Sequence, residues 1–173
     1  MRVGLLGGSF NPAHEGHAHV ADTAKAAMNL NQVIWLVSPQ NPLKALKAPP
    51  LDARMESARR FARPWTRVTG IEADLGSPYT IDTIRWLKRR YPAVRFFWLM
   101  GTDNLQSLHL WRDWRSIPRE VEVVVVPRPG STLRGRAAPG GRLLAKSGRT
   151  RFLDAPLNAA SSTALRMHAK ALS

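Results

Sequence analysis

His14 and His17 stand three residues apart, directly after the run Gly7-Gly8-Ser9-Phe10-Asn11-Pro12 and at the start of a helical pattern. Two imidazoles at this spacing can donate to an anion or ligate a metal. The residues around them favour the anion. Gly7 and Gly8 lack Cβ, so the backbone can turn there and bring its N–H groups close to a ligand. A helix starting just beyond adds unpaired N–H groups and the positive end of its dipole, and a protonated imidazole would add charge. Zinc fits less well, because the chain has no Cys and five His, with no second His or carboxylate pair at ligand spacing.

A second candidate anion site closes the chain. Ser161, Ser162 and Thr163 precede a helical pattern with Arg166 one turn in, so hydroxyls and N–H groups can bind phosphate oxygens while the guanidinium neutralises them. Between the two, Gly101 follows the most apolar run of the chain, where it lets the next helix begin close to a ligand. Lys44 and Lys47 lie in SPQNPLKALKAPP, residues 38–50, whose four prolines exclude regular structure.

These groups need a scaffold, and the periodicity predicts an α/β one. Residues 2–7 read as a buried strand, the pattern from Gly16 to about Asn29 as a helix, and Gln32–Val37 as a second strand. That is a βαβ unit with parallel strands. Further strands are predicted at Thr66–Ile71, Val94–Met100 and Val121–Val126, with a short last one near Phe152–Leu153. Helices are predicted at Leu51–Ala62, from Ser77-Pro78-Tyr79-Thr80 to Tyr91, and after Gly101. The expected fold is a Rossmann-like, doubly wound, mostly parallel sheet of five to six strands with helices on both faces. The Pro-rich loop after the second strand then lies at the carboxyl edge of the sheet, where Lys44 or Lys47 can reach a phosphate.

At 173 residues the length suits one domain, 1–173, and a hydrophobic content of 44% argues against general disorder. The N-terminus carries only four apolar residues before Gly7, too few for a signal peptide, and no run is long enough to span a membrane; a cytoplasmic protein is expected. Absent Cys rules out disulfides and thiol catalysis. The net charge of +14, from 26 Lys and Arg against 12 Asp and Glu, draws anions. Residues 127–151 concentrate it, with seven Lys or Arg, no acid, five Gly and three Pro, and read as an exposed loop. The segment has no aromatic residue to stack a base, so a solvated or substrate-steering role is favoured over nucleic-acid binding.

GGSFNPAHEGH, residues 7–17, resembles the GGSFDPPHxGH signature of the nucleotidylyltransferase superfamily, with Asn11 and Ala13 for the usual Asp and Pro. SPYTIDTIRWL, residues 77–87, is similar to the S-Y-T-x-D-T-L segment of its nicotinate-nucleotide branch. GTDNLQSLHLWRDW, residues 101–114, resembles that branch's G-x-D-x-x-x-x-L-x-x-W segment, and SSTALR, residues 161–166, resembles the closing ISSTxIR motif, with Ala160 for Ile.

The resemblance implies adenylyl transfer from ATP to nicotinate mononucleotide, giving deamido-NAD and pyrophosphate. It assigns His17 to the α-phosphate in the transition state and His14 to the triphosphate. Arg166, helped by Ser162 and Thr163, holds the β and γ oxygens and the leaving pyrophosphate, and Ser161 belongs to the same ATP site. Gly7, Gly8, Ser9, Phe10, Gly101 and Asp103 complete the ATP site, with Asp103 by the ribose. Lys44 binds the mononucleotide phosphate; Leu43 stands where the family has a His. Tyr79 and Thr80 lie by the pyridine carboxylate, and Trp111 stacks on the nicotinate ring. Mg²⁺ arrives with ATP rather than in a protein cage. The absence of a carboxylate dyad or an activated Ser agrees with this chemistry, since a nucleotide phosphate with a second pKa of about 6 is already an ionised nucleophile. Phosphopantetheine adenylyltransferase shares the first and last motifs, and an enzyme preferring the amide nucleotide differs by one substrate charge. A basic nucleic-acid-binding module is the reading from another class. Whether the chain forms a homo-oligomer is left open.

Overall fold

The computed structural model describes residues 1–39 and 48–156. Strands β1 (Arg2–Gly8), β2 (Gln32–Val37), β3 (Thr66–Thr69), β4 (Arg95–Gly101), β5 (Glu122–Val126) and β6 (Thr150–Phe152) form one sheet in the order β3-β2-β1-β4-β5-β6. Every neighbouring pair is parallel, as the Rossmann-like expectation requires. The helices are α1 (Glu15–Met28), α2 (Leu51–Arg59), α3 (Ile71–Asp74), α4 (Thr80–Arg90), α5 (Ile117–Glu120), α6 (Thr132–Ala137) and α7 (Pro139–Lys146).

Both sheet faces are buried, so the central strands are apolar throughout and their alternation sorts residues between two cores. Phe96, Trp98 and Met100 of β4 join Val123 and Val125 of β5 beneath α4 and α7. Phe97 and Leu99 turn the other way, into the core formed with Val20, Ala21 and Ala24 of α1. Small residues on the inner stripe of α1 let the helix lie close to the sheet, and Asn29 ends it in the left-handed conformation.

Two expectations are corrected. Residues 127–151 are not an exposed loop: α6 and α7 occupy most of the segment, with Leu144 fully buried. Its glycines make helix packing possible. A Cβ on Gly140 would come within 2.6 Å of the Leu105 carbonyl oxygen, and Cβ atoms on Gly135 or Gly141 would collide with the backbone at Thr102 or Gly135. A Gly-rich composition therefore marks close approach here, where it was read as mobility. After Gly101 the chain forms three short 3₁₀ turns, Thr102–Gln106, Leu108–Leu110 and Trp114–Ser116, in place of a helix. Leu105 and Leu108 are buried against the sheet by turns of different pitch.

A crevice at the switch point

The strand order reverses between β1 and β4, which end at Gly8 and Gly101. In open α/β sheets the crevice beyond such a pair of carboxyl ends is where ligands bind. Gly7 and Gly8 are still strand residues, and the sharp turn expected of them falls on Phe10, at φ 46°. Gly7 is needed for packing instead, since a Cβ would stand 2.6 Å from Cη2 of Trp98. The Phe10 ring is 1% exposed, stacked on Trp35 with centroids 5.1 Å apart and 4.5 Å from the imidazole of His17. Its side chain thus supports the histidine from the core, and only its backbone is left for a nucleotide.

His14 is the N-cap of α1. Its Nδ1 accepts the Gly16 N–H at 3.0 Å, and its own N–H donates to Nδ1 of His17 at 3.3 Å, a reciprocal capping box made of two imidazoles. With each Nδ1 accepting, the proton of each neutral ring sits on Nε2 as a donor. Burial, then the nearby Arg128 guanidinium, pushes the His14 pKa down to about 4. In the chain by itself, the His14 imidazole is therefore neutral at neutral pH and presents an Nε2 N–H donor.

Positive charge comes from Arg128, which is 7% exposed and follows β5 by one residue beyond Pro127. Its backbone N–H donates to Oγ1 of Thr102 at 2.9 Å. That hydroxyl shares a 2.8 Å hydrogen bond with Ser131, whose own hydroxyl donates to the Arg128 carbonyl at 3.1 Å. The closed chain ties the first residues after β5 to those after β4. Gly101 belongs to the same contact, since a Cβ there would lie 2.8 Å from Cγ of Arg128. Asp103 is exposed on the first 3₁₀ turn, beside Gly101.

Arg54 of α2 is buried beneath the loops and, among the described residues, donates four hydrogen bonds to carbonyls. Nη1 donates to Ser9 at 2.8 Å and to Ser38 at 2.7 Å, Nη2 to Pro39 at 2.8 Å, and Nε to Pro49 at 2.9 Å. One guanidinium thereby fixes the loop after β1 against the start of the Pro-rich loop after β2. Burial lowers its pKa.

Tyr79 and Thr80 start α4 and are half-buried, with no side chain capping the helix. Trp111 is half-buried edge-on to Trp98, centroids 6.2 Å apart, and the Arg112 guanidinium lies 4.7 Å from the centre of the Tyr79 ring. Arg85 of α4 holds Asp113 at 2.9 Å and Glu120 at 3.1 Å, fastening the helix to the segment that carries Trp111. Beneath them Glu72 is 4% exposed and accepts from Thr83 at 3.2 Å; its carboxyl also meets the Ser38 hydroxyl. Burial pushes its pKa up to about 7, partly offset by Ser38 and Thr83.

Lys44, Ser161, Ser162, Thr163 and Arg166 lie outside the described residues. Arg54, Glu72 and Arg128 were missed as site residues in the sequence. Arg128 had a signal, its place just past the carboxyl end of a strand; Arg54 and Glu72 had none, since one charge in a charged helix looks like another. Among the described residues no three His, Cys, Asp or Glu side chains cluster as metal ligands, and no helix is long and apolar enough to cross a membrane.

Comparison with known proteins agrees with this fold. The cytidylyltransferase-like family model matches residues 5–168. The probable nicotinate-nucleotide adenylyltransferase of Caulobacter sp. (strain K31) is 51% identical over 96% of this chain and 97% of its own length, and that of Parvibaculum lavamentivorans is 45% identical over 96% and 91%. Among solved structures, Plasmodium falciparum nicotinic acid mononucleotide adenylyltransferase complexed with NaAD has the same fold, with a TM-score of 0.76 at 16% identity over 96% of this chain and 82% of that one.

Proposed function

This chain belongs to the cytidylyltransferase-like family and, within it, to the nicotinate-nucleotide adenylyltransferases, and from that premise we propose how its residues carry the reaction. The phosphate of nicotinate mononucleotide attacks the α-phosphorus of ATP. A P–O bond forms to the nucleotide phosphate, the α–β bridge breaks, and pyrophosphate leaves with its electron pair. The nucleophile is already an anion, so no side chain has to take a proton; the protein aligns two nucleotides and stabilises spreading charge.

His17 Nε2 donates to the α-phosphate and His14 Nε2 to the triphosphate. Positive charge is supplied by Arg128 from within the crevice and by Arg166 at the chain's end, with Ser161, Ser162 and Thr163 around the departing oxygens. The backbone of Gly8, Ser9 and Phe10 lines the phosphates, while Gly101 and Asp103 face the ribose. Lys44 binds the mononucleotide phosphate, and Tyr79, Thr80 and Trp111 enclose the pyridine. The crevice offers N–H and guanidinium donors, which suit phosphate oxygens. Mg²⁺ would therefore be held by the ATP phosphates and water, and would supply further charge neutralisation there. ATP is drawn from the cytoplasm, where we place the enzyme.

The observation that carries this reading is the pair of imidazoles fixed as Nε2 donors at the switch point. The experiment is pyrophosphate release from Mg²⁺ and ATP with nicotinate mononucleotide, nicotinamide mononucleotide or 4′-phosphopantetheine. Strong preference for the nicotinate form is expected. Turnover with phosphopantetheine alone would refute it.

A further inference from the structure

Arg112 is exposed, yet its guanidinium is held on the Tyr79 ring, 4.7 Å from the centroid, and the residue follows directly on Trp111. It therefore stands where the two segments that enclose the pyridine meet. Its carboxylate neighbours are engaged elsewhere. Asp113 accepts from Arg85 at 2.9 Å and from Ser116 at 2.8 Å, and Asp82, in the first turn of α4, accepts from Ser77 at 2.8 Å. Among the described residues no Asp or Glu forms an ion pair with Arg112. A cation ordered by an aromatic face rather than by an acid keeps its N–H fork for a ligand.

We propose that Arg112 selects the acid form of the pyridine nucleotide, pairing its N–H fork with the ring carboxylate; this rests on the reading of Tyr79 and Trp111 as the walls of the pyridine pocket. A carboxylate presents two acceptor oxygens that match the fork, whereas a carboxamide presents one acceptor and an NH₂ that faces donors with nothing to offer them. Discrimination thus has an attractive and a repulsive part. Next to it, Asp113 takes the left-handed conformation, at φ 46°, and is anchored by Arg85.

The test is steady-state pyrophosphate release by the full chain at saturating Mg²⁺ and ATP, varying nicotinate mononucleotide or nicotinamide mononucleotide, for wild type, Arg112→Gln and Arg112→Lys. Arg112→Gln is expected to raise KM for the acid about tenfold with little change in kcat, so that the acid-to-amide ratio of kcat/KM falls about tenfold. Arg112→Lys keeps the charge and loses the fork, and should restore part of the ratio. A wild type that prefers the acid beside an Arg112→Gln variant that keeps the same preference would overturn the role of Arg112 alone, equal losses on both nucleotides included. A wild type inactive on both nucleotides would overturn the pocket reading, and this inference with it.

Discussion

In the turn after β1, which we propose meets the phosphates, His14 and His17 are oriented by each other and by a backbone N–H two residues away, whereas Tyr79 and Trp111, which we propose enclose the pyridine, are tied together through Arg85 and Arg112 from separate elements. The local arrangement directs each imidazole's Nε2 away from the helix cap, as a hydrogen-bond donor. The long-range arrangement encloses a carboxyl group that resists ionisation. A short motif can thus specify its own geometry through backbone contacts, while a pocket assembled from distant segments needs buried polar links, and those links respond to pH.

That contrast can be broken most directly at its local end. Replacing His17 by Ala should lower kcat about 100- to 1000-fold, the loss typical of removing one donor to developing charge, with the fold retained by circular dichroism. Turnover near wild type would leave the imidazole pair a helix cap and nothing more.

Arg54 tests whether the phosphate end is as local as it looks. Arg54→Met strips the partners from the carbonyls of Ser9, Ser38, Pro39 and Pro49. A loss of about 3 kcal/mol in denaturant unfolding is expected, together with weaker binding of both nucleotides. Stability unchanged would mean that the loops hold themselves.

The two ends should also pull stability in opposite directions with pH. Unfolded His14 takes up a proton near pH 6.5, and the folded residue refuses it until about pH 4, so stability falls as pH drops through that interval. Folded Glu72 keeps its proton up to about pH 7, but unfolded Glu72 releases it near 4.5. Its contribution is therefore complete below pH 4.5 and lost as pH rises through 7, by an amount of about 3 kcal/mol. Urea unfolding of Glu72→Gln from pH 4 to 8 should show this falling branch removed and the His14 branch left. Parallel curves for the two proteins would contradict the buried carboxyl. The smallest effect is expected from Thr83→Val, which deletes one donor to Glu72: about 1 kcal/mol of stability, and a rise in KM for the mononucleotide with KM for ATP unaltered.

Much of the phosphate end was legible because its contacts are short in sequence. Gly7 to His17 runs from strand to helix within one motif, and the periodicity of β1, α1 and β2 had no competing reading. Even so, the turn falls on Phe10 and not on Gly7, and only the packed structure puts Trp98 under Gly7. The segment 127–151 misled for a related reason. Glycine signals a loop or a close helix contact alike, and burial of Leu144 against the sheet decides between them. Arg54, Glu72 and Arg128 carry no local mark, because a charge in the sequence shows its sign and not its exposure.

By itself the sequence determined the strand–helix alternation, the parallel sheet, the strand-to-helix turn that carries the two histidines, and the family, all of which follow from periodicity and from ordered motifs within single segments. Only the tertiary structure decided that burial and Arg128 hold the His14 pKa down, that Arg128 is buried beside it, and that Arg112 lies on Tyr79. Protonation and charge pairing depend on burial and on distances between segments remote in sequence, and those quantities exist only once the chain has packed.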